Sequence, residues 1–182
     1  MDSSRGTASA LVIDGLRVET LDGYLLASLR HFDRAGSVAA AVAETLGQPL
    51  PQPRCAALAG AVPDSQVILA WRSPTESLLC CSAPAVFAEL EQRLAGAADG
   101  CMVDQTGGIC VFRVRGERGR DLLQRLGATT AIPGLGEACG GRLAEVQVLT
   151  VCVRSGEFLL FIERVYADHL HEWMRTTAAD FT

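Results

Sequence analysis

The chain has 182 residues, of which 49% are apolar and 20% are charged. This length supports one domain with a substantial core, and this composition excludes a disordered chain. The net charge of −5 argues against nucleic-acid binding, which needs a surplus of positive charge, and no apolar run is long enough for a membrane-spanning helix. The first ten residues lack the basic start and apolar run of a signal peptide, so we expect a cytoplasmic protein.

Apolar periodicity predicts one structural unit, two strands followed by an amphipathic helix, that is repeated four times. The predicted strands are Leu11–Leu21, Gly23–Leu29, Gln66–Arg72, Ser77–Ser82, Cys101–Thr106, Ile109–Arg115, Leu143–Arg154 and Glu157–Ile162. Gly107-Gly108 and Ser155-Gly156 separate the last two pairs of strands and predict hairpins, because glycine accepts the positive φ of tight turns. Hairpins followed by helices predict an α+β fold with antiparallel sheets.

The helices of these units begin and end at recognisable residues. They are predicted over about Ser37–Leu46, Pro84–Leu94, about Glu117–Leu126 and Val165–Thr176. Ser37 can cap the first helix and Gly47 can end it, while Pro84 suits the first turn of the second. The apolar stripes of the second and fourth helices consist of Val86, Phe87, Leu90 and Leu94, and of Tyr166, Leu170, Trp173 and Met174.

Two stretches interrupt the repeated pattern. Gly47–Asp64 holds four prolines and Gly127–Gly141 holds five glycines and a proline, and both are predicted to be long loops. Loops of this length are usually functional or covered by a partner. We expect residues 1–182 to form a single domain, with two lobes of about 1–98 and 99–182 that share one core.

The seven cysteines do not form the pattern of a metal or redox site. They include no CxxC motif, and an odd number without an export signal argues against a disulfide framework. Adjacent strand residues point to opposite faces, so the neighbouring Cys80 and Cys81 cannot readily bind one metal. We expect five cysteines to be buried core thiols: Cys80, Cys81, Cys101, Cys110 and Cys152.

The common catalytic motifs are absent from the sequence. A chain without lysine has neither the P-loop lysine nor a Schiff-base lysine, and no dinucleotide-binding or nucleophile-elbow motif occurs. His169 and His171 point about 200° apart on a helix, and with Asp168 and Glu172 they are expected to form a solvated face. His31 is expected to be a loop histidine.

One strand carries the most distinctive pattern of charge. Arg113 and Arg115 share a face of the predicted strand Ile109–Arg115, where they could clamp a carboxylate or phosphate or form a solvated strand end. Asp104, just before the Gly107-Gly108 turn, is either a functional carboxylate or a residue that holds the turn through backbone hydrogen bonds.

Three stretches, taken in order and spacing, resemble the aminomethyltransferase superfamily, which includes the glycine-cleavage T-protein. Val103–Leu126 carries an Asp-x-Thr turn, a strand that ends in glycine and a helix with a Leu-Leu pair. Val67–Leu94 carries Trp-x-x-Pro-x-Glu-x-Leu-Leu, and Leu143–Met174 resembles the closing hairpin and helix. Together with the short chain, they are similar to the gamma subunits of heterotetrameric sarcosine oxidases over about residues 20–178.

This resemblance implies a folate-binding-domain fold and a non-catalytic structural subunit. In such complexes the alpha and beta subunits, accompanied by a delta subunit, hold FAD, FMN, NAD and the tetrahydrofolate site. They oxidise sarcosine or a related N-methyl amine and transfer the one-carbon unit to tetrahydrofolate or release formaldehyde. The gamma subunit packs against the alpha subunit. We therefore expect no catalytic, cofactor-binding or metal-binding residue in this chain.

Two other functions stay open from the sequence. The chain could be an independent folate-binding or aminomethyl-transfer protein, for which Asp104 or Glu76 would supply the carboxylate that meets the folate ring. It could also be a regulatory small-molecule-binding domain with an antiparallel core. The N-methyl amine that the complex oxidises, and the surface that meets the partner, are not specified by the sequence.

Overall fold

The computed structural model describes residues 10–13, 15–59, 67–127 and 132–181. In chain order the strands of this part are β1 (Leu11–Ile13), β2 (Leu16–Leu21), β3 (Leu25–His31), β4 (Ala56–Ala59), β5 (Val67–Ser73), β6 (Glu76–Cys81), β7 (Gly100–Asp104), β8 (Ile109–Arg115), β9 (Ala138–Leu143), β10 (Val146–Arg154) and β11 (Glu157–Glu163). The helices are α1 (Ser37–Leu46), α2 (Pro84–Leu94), α3 (Gly119–Leu126) and α4 (Ala167–Ala179), with a 3-10 turn at Arg164–Tyr166.

The strands form two sheets, and helices cover the outer face of each. The six-stranded sheet has the order β1-β2-β8-β11-β10-β9 and the five-stranded sheet has the order β4-β5-β6-β3-β7. Every pair of neighbouring strands is antiparallel. The antiparallel α+β fold predicted from the hairpin-helix units is therefore confirmed.

Three apolar clusters separate the four layers. Leu122, Leu170 and Met174 belong to the cluster between the six-stranded sheet and α3 and α4, and a second cluster lies between the two sheets. The third cluster joins the five-stranded sheet to α1 and α2. Successive side chains of a strand point to opposite faces of the sheet. The apolar runs of the central strands therefore supply side chains to the layer on each side. Cys80 faces the core between the sheets and Cys81 faces the helices, so the prediction that they point apart is confirmed.

The predicted Gly107-Gly108 hairpin is wrong. β7 pairs with β3, where Val103 lies opposite Ser28, and β8 pairs with β2 and β11 in the other sheet. The chain therefore crosses between the sheets at this turn, and neither glycine has a positive φ. The segment between β2 and β3 makes a second crossing of the same kind. As a result, both proposed lobes contribute strands to both sheets, and the two-lobe organisation stays a prediction.

Element boundaries agree with the sequence except at a few positions. α1 ends at Gly47, which has a φ of 63°, and α2 begins at Pro84, as predicted. Ser37 is not the cap of α1, because Gly36 occupies that position and the Asp99 carboxylate binds the Ser37 hydroxyl and the Val38 amide. The two predicted loops contain β4 and the start of β9.

Within the described ranges, the chain contains no helix with the length and apolar character needed to cross a membrane.

Candidate functional site

The two segments that cross between the sheets lie side by side and bind each other. The Leu26 amide of β3 donates to the Thr106 hydroxyl oxygen (Oγ1) at 3.0 Å, and the Gln105 amide donates to the Leu26 carbonyl at 2.7 Å. The Thr106 amide in turn donates to Asp104 Oδ1 at 2.8 Å. Hydrogen bonds from Thr106 hold the pKa of Asp104 below its usual value. Asp104 therefore organises the turn, the second of the two roles proposed from the sequence.

Arg164 fixes the same turn from the opposite sheet. Its Nε donates to the Gly107 carbonyl at 2.9 Å and its Nη2 donates to the Ile109 carbonyl at 3.1 Å. Its backbone amide also donates to the Gly108 carbonyl at 2.8 Å. The guanidinium is thus held by carbonyl oxygens, which orient it but do not neutralise its charge.

An open groove of about 990 Å³ runs along the two crossings to the first turn of α4. Its walls include Cys110, Asp168 and His171. Burial raises the pKa of the Cys110 thiol, so this sulfur is protonated at neutral pH and is a poor nucleophile. The His171 ring stacks on Phe112 at 6.0 Å between centroids. The Cys110 thiol is therefore poorly suited to nucleophilic chemistry in this groove.

A smaller polar pocket of about 450 Å³ lies on the other side of the 3-10 turn. Glu76 accepts hydrogen bonds there from the Ser28 hydroxyl at 2.7 Å and from Arg72 Nη1 at 3.0 Å. Arg30 and Arg164 also line this pocket. The Glu76 carboxylate, one of the two candidates for a folate contact, is thus already bound within the chain, and the other candidate, Asp104, lies in the turn.

Arg113 and Arg115 meet an internal carboxylate, Glu19 of the neighbouring strand β2. Arg113 donates to Glu19 from Nε at 2.6 Å and also from Nη2, and Arg17 donates from its own Nε at 2.8 Å. Arg115 Nη2 lies 3.9 Å from Glu19. Burial would raise the pKa of Glu19, but hydrogen bonds and charges from Arg113 and Arg17 outweigh it and lower that pKa. The predicted clamp exists, and its carboxylate comes from this chain.

The chain matches the model of the sarcosine oxidase gamma subunit family over residues 32–180. It belongs to that family. The fold is similar to a chain of heterotetrameric sarcosine oxidase from Corynebacterium sp. U-96, determined with pyrrole 2-carboxylate, with a TM-score of 0.80 at 20% identity. That match covers 96% of this chain and 90% of the other.

A second solved structure shares the fold. It is the glycine cleavage system aminomethyltransferase T from Bartonella henselae, with a TM-score of 0.64 at 14% identity. The match covers 92% of this chain and 53% of the aminomethyltransferase. No curated protein matches the sequence. The resemblance proposed from three sequence stretches is confirmed at the level of the family and of the fold.

The three histidines of this gamma-family chain have different surroundings. His31 is buried at the end of β3, not in a loop as predicted, and its Nε2 lies 3.2 Å from the Ser77 hydroxyl. Burial lowers the pKa of His31. His169 Nε2 lies 3.0 Å from the Ala144 carbonyl, whereas His171 faces the groove. In the part of the chain that the structure describes, no cluster of three or more histidine, cysteine or acidic residues could hold a metal.

The prediction of a buried core thiol is wrong for one cysteine. Cys101 is exposed, whereas the other four, Cys80, Cys81, Cys110 and Cys152, are buried. Cys101 lies on β7, which is the edge strand of the five-stranded sheet. Its face of that sheet extends past the six-stranded sheet, and no apolar layer covers it. Alternation along the strand predicts the face but not where the opposing sheet ends.

The three arginines that line the polar pocket were not singled out as site residues from the sequence. Arg72 follows Ile68 and Ala70 on alternate positions of β5, and Arg30 follows Leu26 and Ser28 on alternate positions of β3. This change from apolar to polar and charged residues marks the point where the core between the sheets ends. Arg164 gives no such signal, because its partners are backbone carbonyls more than 50 residues away in sequence. Only the sheet crossing brings them together.

Proposed function

We propose that this chain is a non-catalytic structural subunit of a cytoplasmic sarcosine oxidase-like complex. The complex would oxidatively demethylate sarcosine or a related N-methyl amine and transfer the one-carbon unit to tetrahydrofolate or release formaldehyde. FAD, FMN, NAD and tetrahydrofolate would be bound by the other chains, and this chain would pack against the alpha subunit beside the beta and delta subunits. The family match over residues 32–180 carries the proposal.

The chemistry of the two cavities supports a structural role. The groove offers a protonated thiol at Cys110, and Arg164 is held by turn carbonyls. In the polar pocket, Glu76 is held by Ser28 and Arg72. Arg164 stabilises a crossing between the sheets, and the contacts of Glu76 join strands of the five-stranded sheet. A general base or nucleophile would need to be freer to reach a substrate.

Exposed apolar side chains support the proposal that a partner covers part of this surface. Val165, Tyr166 and Trp173 are 80%, 46% and 51% exposed on the 3-10 turn and α4. The sequence predicted Tyr166 and Trp173 in the apolar stripe of the last helix, but only Leu170 and Met174 of that stripe are buried. Aromatic residues that a monomer leaves exposed are enriched at protein interfaces.

The test is a thermal melt of the chain with and without a flavin-bearing subunit of the proposed complex. A partner that binds only the folded chain raises its melting temperature by mass action. We expect the lone chain to be colourless and inactive towards sarcosine, and its melting temperature to rise when the partner is added. A lone chain that is yellow, or a melting temperature that does not move, would contradict the proposal.

A second candidate function is that of an independent folate-binding protein. It is favoured by the similarity to aminomethyltransferase T and by the carboxylate of Glu76 in a polar pocket. This candidate predicts that the lone chain binds tetrahydrofolate and that Glu76→Gln weakens the binding. Titration of the isolated chain with tetrahydrofolate, followed by calorimetry, separates the two. If no heat of binding is detected, the result favours the structural subunit.

A further inference from the structure

The 3-10 turn Arg164–Tyr166 forms a ridge between the groove and the polar pocket. Arg164 lines both cavities, Val165 lines the polar pocket, and Ala167 of the following helix lines the groove. The turn is fixed at its base because Arg164 binds the carbonyls of Gly107 and Ile109. An exposed apolar ridge on a rigid base is preorganised for contact, since little ordering is needed on binding.

The polar pocket beside the ridge carries a local excess of positive charge. Its walls hold three arginines, Arg30, Arg72 and Arg164, against two glutamates, Glu76 and Glu163. Arg72 is paired with Glu76, whereas the partners of the Arg164 guanidinium among the described residues are carbonyls. Within the described ranges, no hydrogen bond or ion pair reaches the Arg30 guanidinium. In a chain with a net charge of −5, this pocket is suited to a carboxylate from outside.

The strand behind the pocket continues the same surface. Val103 of the edge strand β7 is exposed and lies directly opposite Ser28 of β3, which lines the polar pocket. Apolar area therefore lies on both sides of the pocket, at Val103 and at Val165. A central apolar contact with arginines around it is typical of protein interfaces.

We infer that the surface formed by Val165, Tyr166, Val103 and the polar pocket is where the flavin-bearing subunit docks. The partner's segment would place a carboxylate against Arg30 and Arg164 and apolar side chains against Val165 and Val103. Charge complementarity of this kind fixes the register of an interface and speeds association. This inference rests on the proposed function, and it names the surface and the chemistry of the partner's segment.

The experiment measures the affinity of purified variants for the flavin-bearing subunit. Val165→Asp and Arg30→Glu are each expected to weaken binding at least about tenfold, as substitutions at the centre of an interface do. The affinity of the unaltered chain is also expected to fall with rising salt, and Arg30→Glu is expected to reduce that dependence.

Matched controls lie elsewhere on the molecule. Val12→Asp changes a valine that is 65% exposed on β1, opposite Arg17 and near the Arg115 end of β8, whereas Arg164 binds the Ile109 end. The two ends are about 20 Å apart at the rise of an antiparallel strand. Arg120→Glu reverses a charge on α3. Both controls are expected to bind as tightly as the unaltered chain, and circular dichroism checks that all four variants fold.

The outcomes separate the docking surface from the function. If the unaltered chain does not bind the flavin-bearing subunit, both the surface and the proposed function are overturned. If it binds, and Val165→Asp and Arg30→Glu bind equally tightly, the surface is wrong and the function stands. Folded variants that lose affinity while both controls keep it support the surface. Loss of affinity in the controls to the same extent contradicts it.

Discussion

Replacing Thr106 with valine removes one hydroxyl from the place where the two sheet crossings meet. The hydroxyl oxygen accepts the Leu26 amide at 3.0 Å, and Leu26 is only 2% exposed. Valine has nearly the same shape as threonine, so the change opens no cavity but leaves a buried amide without an acceptor. An unsatisfied buried donor costs about 1–3 kcal/mol, and we expect the free energy of unfolding to fall by this amount.

The assay is urea unfolding at neutral pH, followed by circular dichroism and by tryptophan fluorescence. Thr106→Ser is the matched control, because it keeps the hydroxyl and loses only a methyl group, and it should retain most of the stability. At about 2–4 °C per kcal/mol for a chain of this size, the melting temperature of Thr106→Val should also fall measurably. A Thr106→Val variant as stable as the unaltered chain, with an unchanged urea dependence, would refute the reasoning that this bond joins the crossings.

Three further predictions follow from the packing and charges. Glu19→Gln should lower the free energy of unfolding by about 1–3 kcal/mol at pH 7, because charged hydrogen bonds are lost. Since the folded pKa of Glu19 is lowered, its stabilisation is present above the ordinary glutamate pKa of 4.5 and is lost as the pH falls from there through the lowered folded pKa. The difference in unfolding free energy between the two proteins should therefore shrink as the pH is lowered below 4.5, and a constant difference would contradict the role of the charge. Gly100→Ala places a methyl group 2.0 Å from the Arg30 carbonyl oxygen and should destabilise the fold by about 1–3 kcal/mol. Gly107→Ala is the control and should not destabilise the fold in this way, because its methyl group meets nothing within 4 Å. Equal melting temperatures for the two variants would refute the steric argument. A thiol reagent should quickly modify the exposed Cys55 and Cys101. It should modify the four buried cysteines only after denaturation, and fast labelling of these four would contradict their burial: Cys80, Cys81, Cys110 and Cys152.

Local patterns in the sequence were sufficient for most elements of the fold. Pro84 and Gly47 specify helix ends by their own backbone preferences, and alternation along Ser77–Cys81 correctly places Cys80 and Cys81 on opposite faces. These features depend on a few neighbouring residues. The resemblance of three separate stretches to the family also predicted the fold class, because each stretch carries a short motif that can be recognised from its own residues.

Strand pairing and the candidate site could not be obtained in the same way. Gly107-Gly108 marks a turn, but a crossing between sheets and a hairpin use the same residue types, so the partner of β8 is decided by distant strands. The exposure of Cys101 and Trp173 depends on where the opposing layer ends, and the role of Arg164 depends on carbonyls brought near by the crossing. Each of these features depends on tertiary structure, not on local preference.

The central claim, that the chain is a structural subunit, is tested most directly by native mass spectrometry of the co-expressed complex. The account predicts one species that contains this 19.3 kDa chain together with the flavin-bearing subunit. On dissociation, the small chain should have the mass of its polypeptide alone, and the large chain should keep the added mass of its flavin. A small chain that is released alone during purification, while the flavin-bearing subunit assembles and oxidises sarcosine without it, would contradict the account.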